Sequence, residues 1–119
     1  ILKILVLSEE VEVLAEVEQV LRTYDVDVVS LATGLLDIMA VGNTKGQAIK
    51  TLHQQNVLDV ATTMSFGDNH NDIEMLQVVA VGIAMANAVP ELKEHADAIG
   101  LSNNENGVGQ YLLEYLNQR

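Results

Sequence analysis

From residue 44 onward, helical stretches alternate with short apolar runs, and this alternation limits the fold more than any other feature of the chain. The runs are Ala61 to Phe66, Val79 to Ala84 and Ala96 to Ile99. Helical spacing surrounds them: Thr44 to about Gln55 with Ala48, Ile49 and Leu52 inward, Asp72 to Val79, a helix opening at Val89 or Pro90, and Val108 to Leu116. Thr44 can cap the first of these helices, and Pro90 is tolerated in a first turn. A polar, glycine-containing loop, Asn103 to Gly109, precedes the last one. Parallel strands need long crossovers, so short strands separated by helices predict a parallel sheet with helices on its faces. The predicted class is α/β.

Residues 1 to 41 read differently, as strand, helix, strand, strand. Leu2 to Leu7 is a short apolar run with one lysine in it. Ser8 is placed to cap a helix whose first turns carry Glu9, Glu10 and Glu12, where the helix dipole favours negative charge. Val13, Leu14, Val17, Val20 and Leu21 give that helix an apolar stripe. Val26 to Leu31 and Leu35 to Val41 are strands joined at Gly34, which predicts an antiparallel pair. A boundary falls near Val41 to Asn43, dividing the chain into residues 1–41 and 42–119.

The 119 residues are one domain's worth, and 49% of them are apolar, enough for a core. The absence of cysteine excludes disulfides and thiolate metal sites. No apolar run approaches the ~20 residues needed to span a membrane. The start, ILKILVLSEE, is too short an apolar run for a secretory signal and lacks a cleavage pattern, so the cytoplasm is the expected location. Seventeen acidic residues against six basic ones give a net charge of −11, which disfavours nucleic acid as a partner. A small phosphate ligand needs only one local cation or a metal. The chain opens on isoleucine and enters a strand at once, as a fragment or a processed chain would.

The chemistry concentrates in SFGDNHNDIEML, residues 65 to 76. In open α/β sheets, ligands gather at the carboxyl ends of strands, and Asp68 lies just past one. Gly67 offers the backbone freedom to turn there. Asp68 suits a hard cation such as Mg²⁺, which prefers carboxylate oxygen and keeps several waters. Asn71 and Asp72 follow on the same turn; an asparagine amide can donate to phosphate, and a new helix's free N–H groups favour anions. An Asx-rich helix cap is the bland alternative. Lys45 opens a helix beside Gly46, where its charge opposes the dipole, so it calls for a phosphate or carboxylate partner.

Other polar groups read as less informative. His70, inside the acidic cluster, reads as a solvent-facing loop residue, and His53 and His95 as surface residues. Met39, Met64, Met75 and Met85 read as core filler. Asn87 is placed to cap the helix that follows it. Asp25 and Asp27 enter a strand rather than following one, so they read as strand alternation rather than a catalytic pair.

Three segments together, NTKGQAIKTL, GDNHNDIEML and GIAMANAVPELKEHADAIGLSNNENGVGQYL, resemble the C-terminal half of Cof-type phosphatases of the haloacid dehalogenase-like superfamily. The resemblance covers most of residues 35 to 119, and residues 1–41 are similar to the end of that family's α/β cap domain. It implies a partial Rossmann-like core with a cap remnant, and Mg²⁺-dependent hydrolysis of small phosphate monoesters through an aspartyl-phosphate. Position by position, Lys45 resembles the lysine that steadies nucleophile and phosphate, and Asp68 the Mg²⁺ ligand. Asn71 resembles the phosphate-contacting asparagine, and Asp72 the carboxylate that orients the lysine or a metal-bound water. The family's Asp-x-Asp-Gly-Thr nucleophile motif and the Ser/Thr of its second motif are absent, which implies about half a site and a chain inactive alone.

The implied partner is a small phosphorylated metabolite, with no nucleic acid and no membrane. A missing N-terminal half or a second copy would complete the sheet, since its open edges ask for cover. The alternative is a non-catalytic, receiver-like or binding module, in which Asp37 would be the phosphate acceptor. Against it, the first strand is followed by Ser8 and Glu9 rather than paired acids, and the interval to Asp37 is short for a strand and a helix.

Overall fold

A computed structural model describes residues 3–32 and 34–119, and Leu2, the expected start of the first strand, lies outside them. Two three-stranded sheets organise the chain. The first holds β1 (Lys3–Leu7), β2 (Val26–Ala32) and β3 (Leu35–Ala40), with α1 (Val11–Leu21) between β1 and β2. The expected β2–β3 hairpin is antiparallel, and β1 joins the other side of β3, also antiparallel, to give the order β1-β3-β2. Side chains alternate across a sheet, so Leu36 and Ile38 face one way and Asp37 and Met39 the other. Leu36, Ile38 and Leu14 of α1 are buried, while Val13 and Val20 of the expected stripe stay exposed. The helix starts later than expected: the Ser8 hydroxyl accepts from the Glu10 N–H, and no side chain caps Val11.

The second sheet is parallel, as the alternation predicts. β4 (Met64–Gly67), β5 (Val81–Ala84) and β6 (Ala98–Ile99) lie in that order. The helices are α2 (Lys45–Gln54), α3 (Ile73–Val78), α4 (Pro90–Glu94) and α5 (Gly107–Asn117). Central β5 is the most buried strand, and Ile83 and Ala84 have no exposed surface. Leu76, Met85, Ala88 and Leu92 close the core around it, with Phe66 and Ile73 packed alongside. Burying such side chains supplies the main stabilisation, at roughly 25 cal/mol per Å² of apolar surface.

Boundaries shift for local reasons. Residues Val60–Thr62 form a 3-10 turn under an Asp59 cap, so β4 starts at Met64 rather than Ala61. A second 3-10 turn, His70–Asp72, precedes α3. Thr44 caps α2 as expected, its hydroxyl accepting from the Gln47 N–H, and Val89 precedes Pro90 at the start of α4. Asn87 is not that cap: its side chain accepts from the Asn103 N–H at 3.0 Å and fastens the loop leading to α5. Along α2 the buried position is Gly46, whereas Ala48 and Leu52 are exposed. No helix among the described residues is long and apolar enough to cross a membrane.

Candidate functional site

The site forms where β4 ends and α3 begins, and steric room decides its shape. A Cβ on Gly67 would lie 2.6 Å from Asp72 Cβ and 2.9 Å from Leu76 Cδ1. Its φ is not in the left-handed region, unlike Gly34 and Gly42. So Gly67 serves here by letting α3 press onto the strand end, not by the turning freedom expected of it. This close approach carries Asp72, 2% exposed, under the loop.

Asp72 is then satisfied on both oxygens. Oδ2 accepts from the backbone N–H of Asp68 at 3.0 Å and of Asn69 at 3.2 Å. Oδ1 accepts from Lys45 Nζ, a pair whose side chains are 52% and 3% exposed for Lys45 and Asp72. The Asn69 side chain reciprocates toward the Asp72 N–H, closing a capping box. Burial pushes the Asp72 carboxyl up, but the Lys45 hydrogen bond, the two backbone donors and the lysine charge outweigh it and hold the carboxyl below its usual value. Asp72 is therefore the carboxylate partner that Lys45 needs at the start of α2.

The start of α2, which carries Lys45, is fastened to α3 by a residue that the sequence reading passed over. Glu74 of α3 accepts from the Thr44 hydroxyl at 2.5 Å, from Gln47 Nε2 at 2.9 Å and from Lys50 Nζ at 2.9 Å. Those bonds, the Thr44 and Lys50 ones foremost, hold the Glu74 carboxyl below its usual value. Gly46 makes the contact possible, since a Cβ there would run into the Glu74 side chain. The signal available in sequence was this glycine: an unlikely helix residue beside a lysine marks a close crossing.

Asp68 and Asn71 lie around this pair with different freedom. Asp68 is exposed, and its backbone carbonyl accepts from Val89 while no described residue hydrogen-bonds its carboxylate. Asn71, half-buried, lines a cavity of about 340 Å³ between the first sheet and the N-terminal ends of α2 and α3. Lys45 and His70 share that wall, and Val29, Asp37 and Met39 form the wall opposite. Met39 is thus a cavity residue rather than core filler. His70 is exposed as expected, with its Nε2 3.1 Å from Glu91 Oε2. His53 and His95 are exposed, and Asp27 accepts from the Gly42 N–H at 3.0 Å, pinning the turn after β3.

Among the described residues no three His, Cys, Asp or Glu side chains gather to hold a metal. The donors present still fit part of a Mg²⁺ site, because Asp68 offers an unengaged hard-oxygen carboxylate at a strand end, and Mg²⁺ needs only one or two carboxylates beside waters and phosphate. Asp72 does not fit as a ligand, since both its oxygens are committed. The receiver-like alternative does not fit the topology: Asp37 lies mid-strand in an antiparallel sheet, not past the carboxyl end of a parallel strand.

Residues 1–112 match the haloacid dehalogenase-like hydrolase family. The chain belongs to that family. The chain is 35% identical over 111 residues to the HMP-PP phosphatase of Yersinia pseudotuberculosis, covering 92% of this chain and 40% of that protein. It is 36% identical over 89 residues to the chloroplastic endoribonuclease YBEY of Arabidopsis thaliana, covering 75% of this chain and 15% of that protein. Its fold superposes on the haloacid dehalogenase subclass IIB sugar phosphatase BT4131 with a TM-score of 0.80 at 27% identity, over 96% of this chain and 43% of that one. The chain therefore spans less than half the length of each of these proteins.

Proposed function

We propose that this chain carries the second half of a Mg²⁺-dependent phosphatase site acting on small phosphate monoesters. The observation that carries the reading is the Lys45–Asp72 pair, carried on an α2 start that Glu74 fastens to α3 and set beside a carboxylate and an amide that no described residue hydrogen-bonds, at a parallel-strand end. Asp72 aims Lys45, and Lys45 with Asn71 offers donors to phosphate oxygens. Asp68 holds Mg²⁺, which when bound offsets the negative charge of the phosphate. The nucleophilic aspartate, which forms the aspartyl-phosphate in the complete enzyme, comes from a segment outside these 119 residues. Residues 1–41 act as the end of a cap and 42–119 as the C-terminal half of the core.

The open edge of β4 supports the missing-half reading. β4 pairs only with β5 among the described strands, and the exposed Leu112 and Leu116 of α5 share a groove with its Met64. A further parallel strand there would cover that edge and end near Lys45. The test is a titration of the ¹⁵N-labelled chain with MgCl₂ and then inorganic phosphate, followed by NMR. Mg²⁺ should shift the Asp68 amide, phosphate should shift Asn71, and Lys45→Met should abolish the phosphate response while the chain alone shows no phosphatase turnover. Absence of any phosphate response in the unmutated chain, or turnover by it without a second polypeptide, sinks the reading.

A further inference from the structure

α2 opens on a residue that its own dipole disfavours. Its first residue is Lys45, and its first turn carries no acidic side chain to offset that cation. The anion comes instead from α3. Glu74 Oε2 accepts from the Thr44 hydroxyl at 2.5 Å, and Oε1 accepts from Gln47 Nε2 and Lys50 Nζ, both at 2.9 Å. The Thr44 hydroxyl in turn accepts from the Gln47 N–H at 3.1 Å, so one carboxylate completes the helix cap from outside. The three donor residues stand three apart, on one face of α2. A Cβ at Gly46 would run into the Glu74 side chain, so the contact is close as well as bonded.

We infer that Glu74 is a positioning residue for Lys45: by fixing the rotation of the first turns of α2, it aims the ammonium at Asp72 and at the phosphate. The inference rests on the phosphate site proposed above. Successive helix residues point about 100° apart, so the direction of Lys45 follows from that of Thr44. Asp72 closes the turn that leads into α3, and Glu74 stands in the first turn of α3. One short segment therefore holds Lys45 at its tip through Asp72 and at its root through Glu74 and Thr44. Lysine is a point charge on a flexible four-carbon stem, so a tether at the tip alone leaves the backbone beneath it free to drift. A misplacement of about 1 Å costs as much as ~10²-fold in a positioned site. Glu74 does not act through its charge on the phosphate. Its carboxylate is paired with Lys50 at 2.9 Å, and a bare negative charge there would oppose an anion. Position and charge thus give opposite signs for its removal.

The experiment measures dissociation constants of the ¹⁵N-labelled chain by NMR titration, for Mg²⁺ alone and for inorganic phosphate with Mg²⁺ saturating. Glu74→Ala should weaken phosphate about tenfold and Mg²⁺ by less than about twofold, because Asp68 follows β4 and is not carried by α2. Glu74→Gln keeps the shape and one acceptor oxygen; it should weaken phosphate about threefold and serves if the alanine variant does not fold. With ¹³C-labelled lysine, the Hε protons of Lys45 should be distinct in the unmutated chain, where the ammonium is held, and merge in both variants. Phosphate binding that is unchanged or tighter, the sign that loss of a negative charge alone would give, overturns the assignment of Glu74 while the phosphate site stands. Equal losses for Mg²⁺ and phosphate, or weaker phosphate with the Lys45 protons still distinct, overturn it too, since they mark a general structural prop. No binding of inorganic phosphate by the unmutated chain overturns the phosphate site and this inference with it.

Discussion

Two lysine–aspartate pairs flank the cavity, Lys45–Asp72 reaching it through the lysine alone, and they are nearly matched in exposure. Lys45–Asp72 is 52% and 3% exposed, and Lys3–Asp37 is 49% and 3% exposed. Their surroundings differ. Asp72 sits at a strand-to-helix turn whose free N–H groups fill its second oxygen, so lysine and backbone together saturate it. Asp37 sits mid-strand, where the ladder consumes the backbone donors, so its second oxygen has nowhere local to turn. The same two residue types thus make a finished structural unit at one wall and an open acceptor at the other. A turn supplies spare donors and a strand does not.

The largest effect should separate the pairs directly. Asp72→Asn leaves Lys45 without its anion and weakens the bonds to the Asp68 and Asn69 amides, and should lower stability by about 3 kcal/mol in urea unfolding. The pH response follows with its sign. Because the folded-state carboxyl of Asp72 lies below its ordinary value, its stabilisation is fully present above about pH 4 and is lost as pH falls through the depressed value. Glu74 acts in the same direction. Stability measured against pH should drop on the acid side less steeply in Asp72→Asn than in the unmutated chain, and an unchanged slope would remove Asp72 as the cause.

Gly67→Ala should cost about 2 kcal/mol, since the added methyl meets Asp72 and Leu76 and must push α3 off the strand. The shifts of the Asp68 and Asn69 amides would report whether the Asp72 bonds break with it. Glu74→Gln should cost about 1 kcal/mol and broaden or shift the α2 amides, because Lys50 and Thr44 lose their charged acceptor. Asp37→Asn should change stability least, by less than about 1 kcal/mol, since it replaces one unsatisfied polar atom with another and keeps an acceptor for Lys3. A destabilisation as large as that of Asp72→Asn would show that the two pairs are equivalent structural props, and the contrast between them would collapse.

Much of this arrangement was legible before any coordinates. The parallel sheet followed from residues 61–99, and the Thr44 cap and the Pro90 helix start came from short-range rules that the observed hydrogen bonds obey. The partner of Lys45 was expected as a kind, a phosphate or carboxylate, and is Asp72. The misses share a cause. Ala48 and Leu52 were placed inward by periodicity, but α2 meets α3 through Gly46, so the buried face was set by close approach rather than by hydrophobicity. Asn87 and Ser8 looked like helix caps and bond elsewhere, because a nearby loop or turn competed for them.

What the sequence determined by itself was local. Short apolar runs, caps and a cluster of oxygen donors at a strand end depend on neighbours a few residues away, and those neighbours are written in order along the chain. What only the tertiary structure decided was which distant groups meet: Glu74 with Thr44 and Lys50, Asp37 with Lys3, and β1 with β3 rather than β2. The physical reason is that a buried polar atom is worth little or much according to whether a partner reaches it. That depends on packing between elements, which no local pattern encodes.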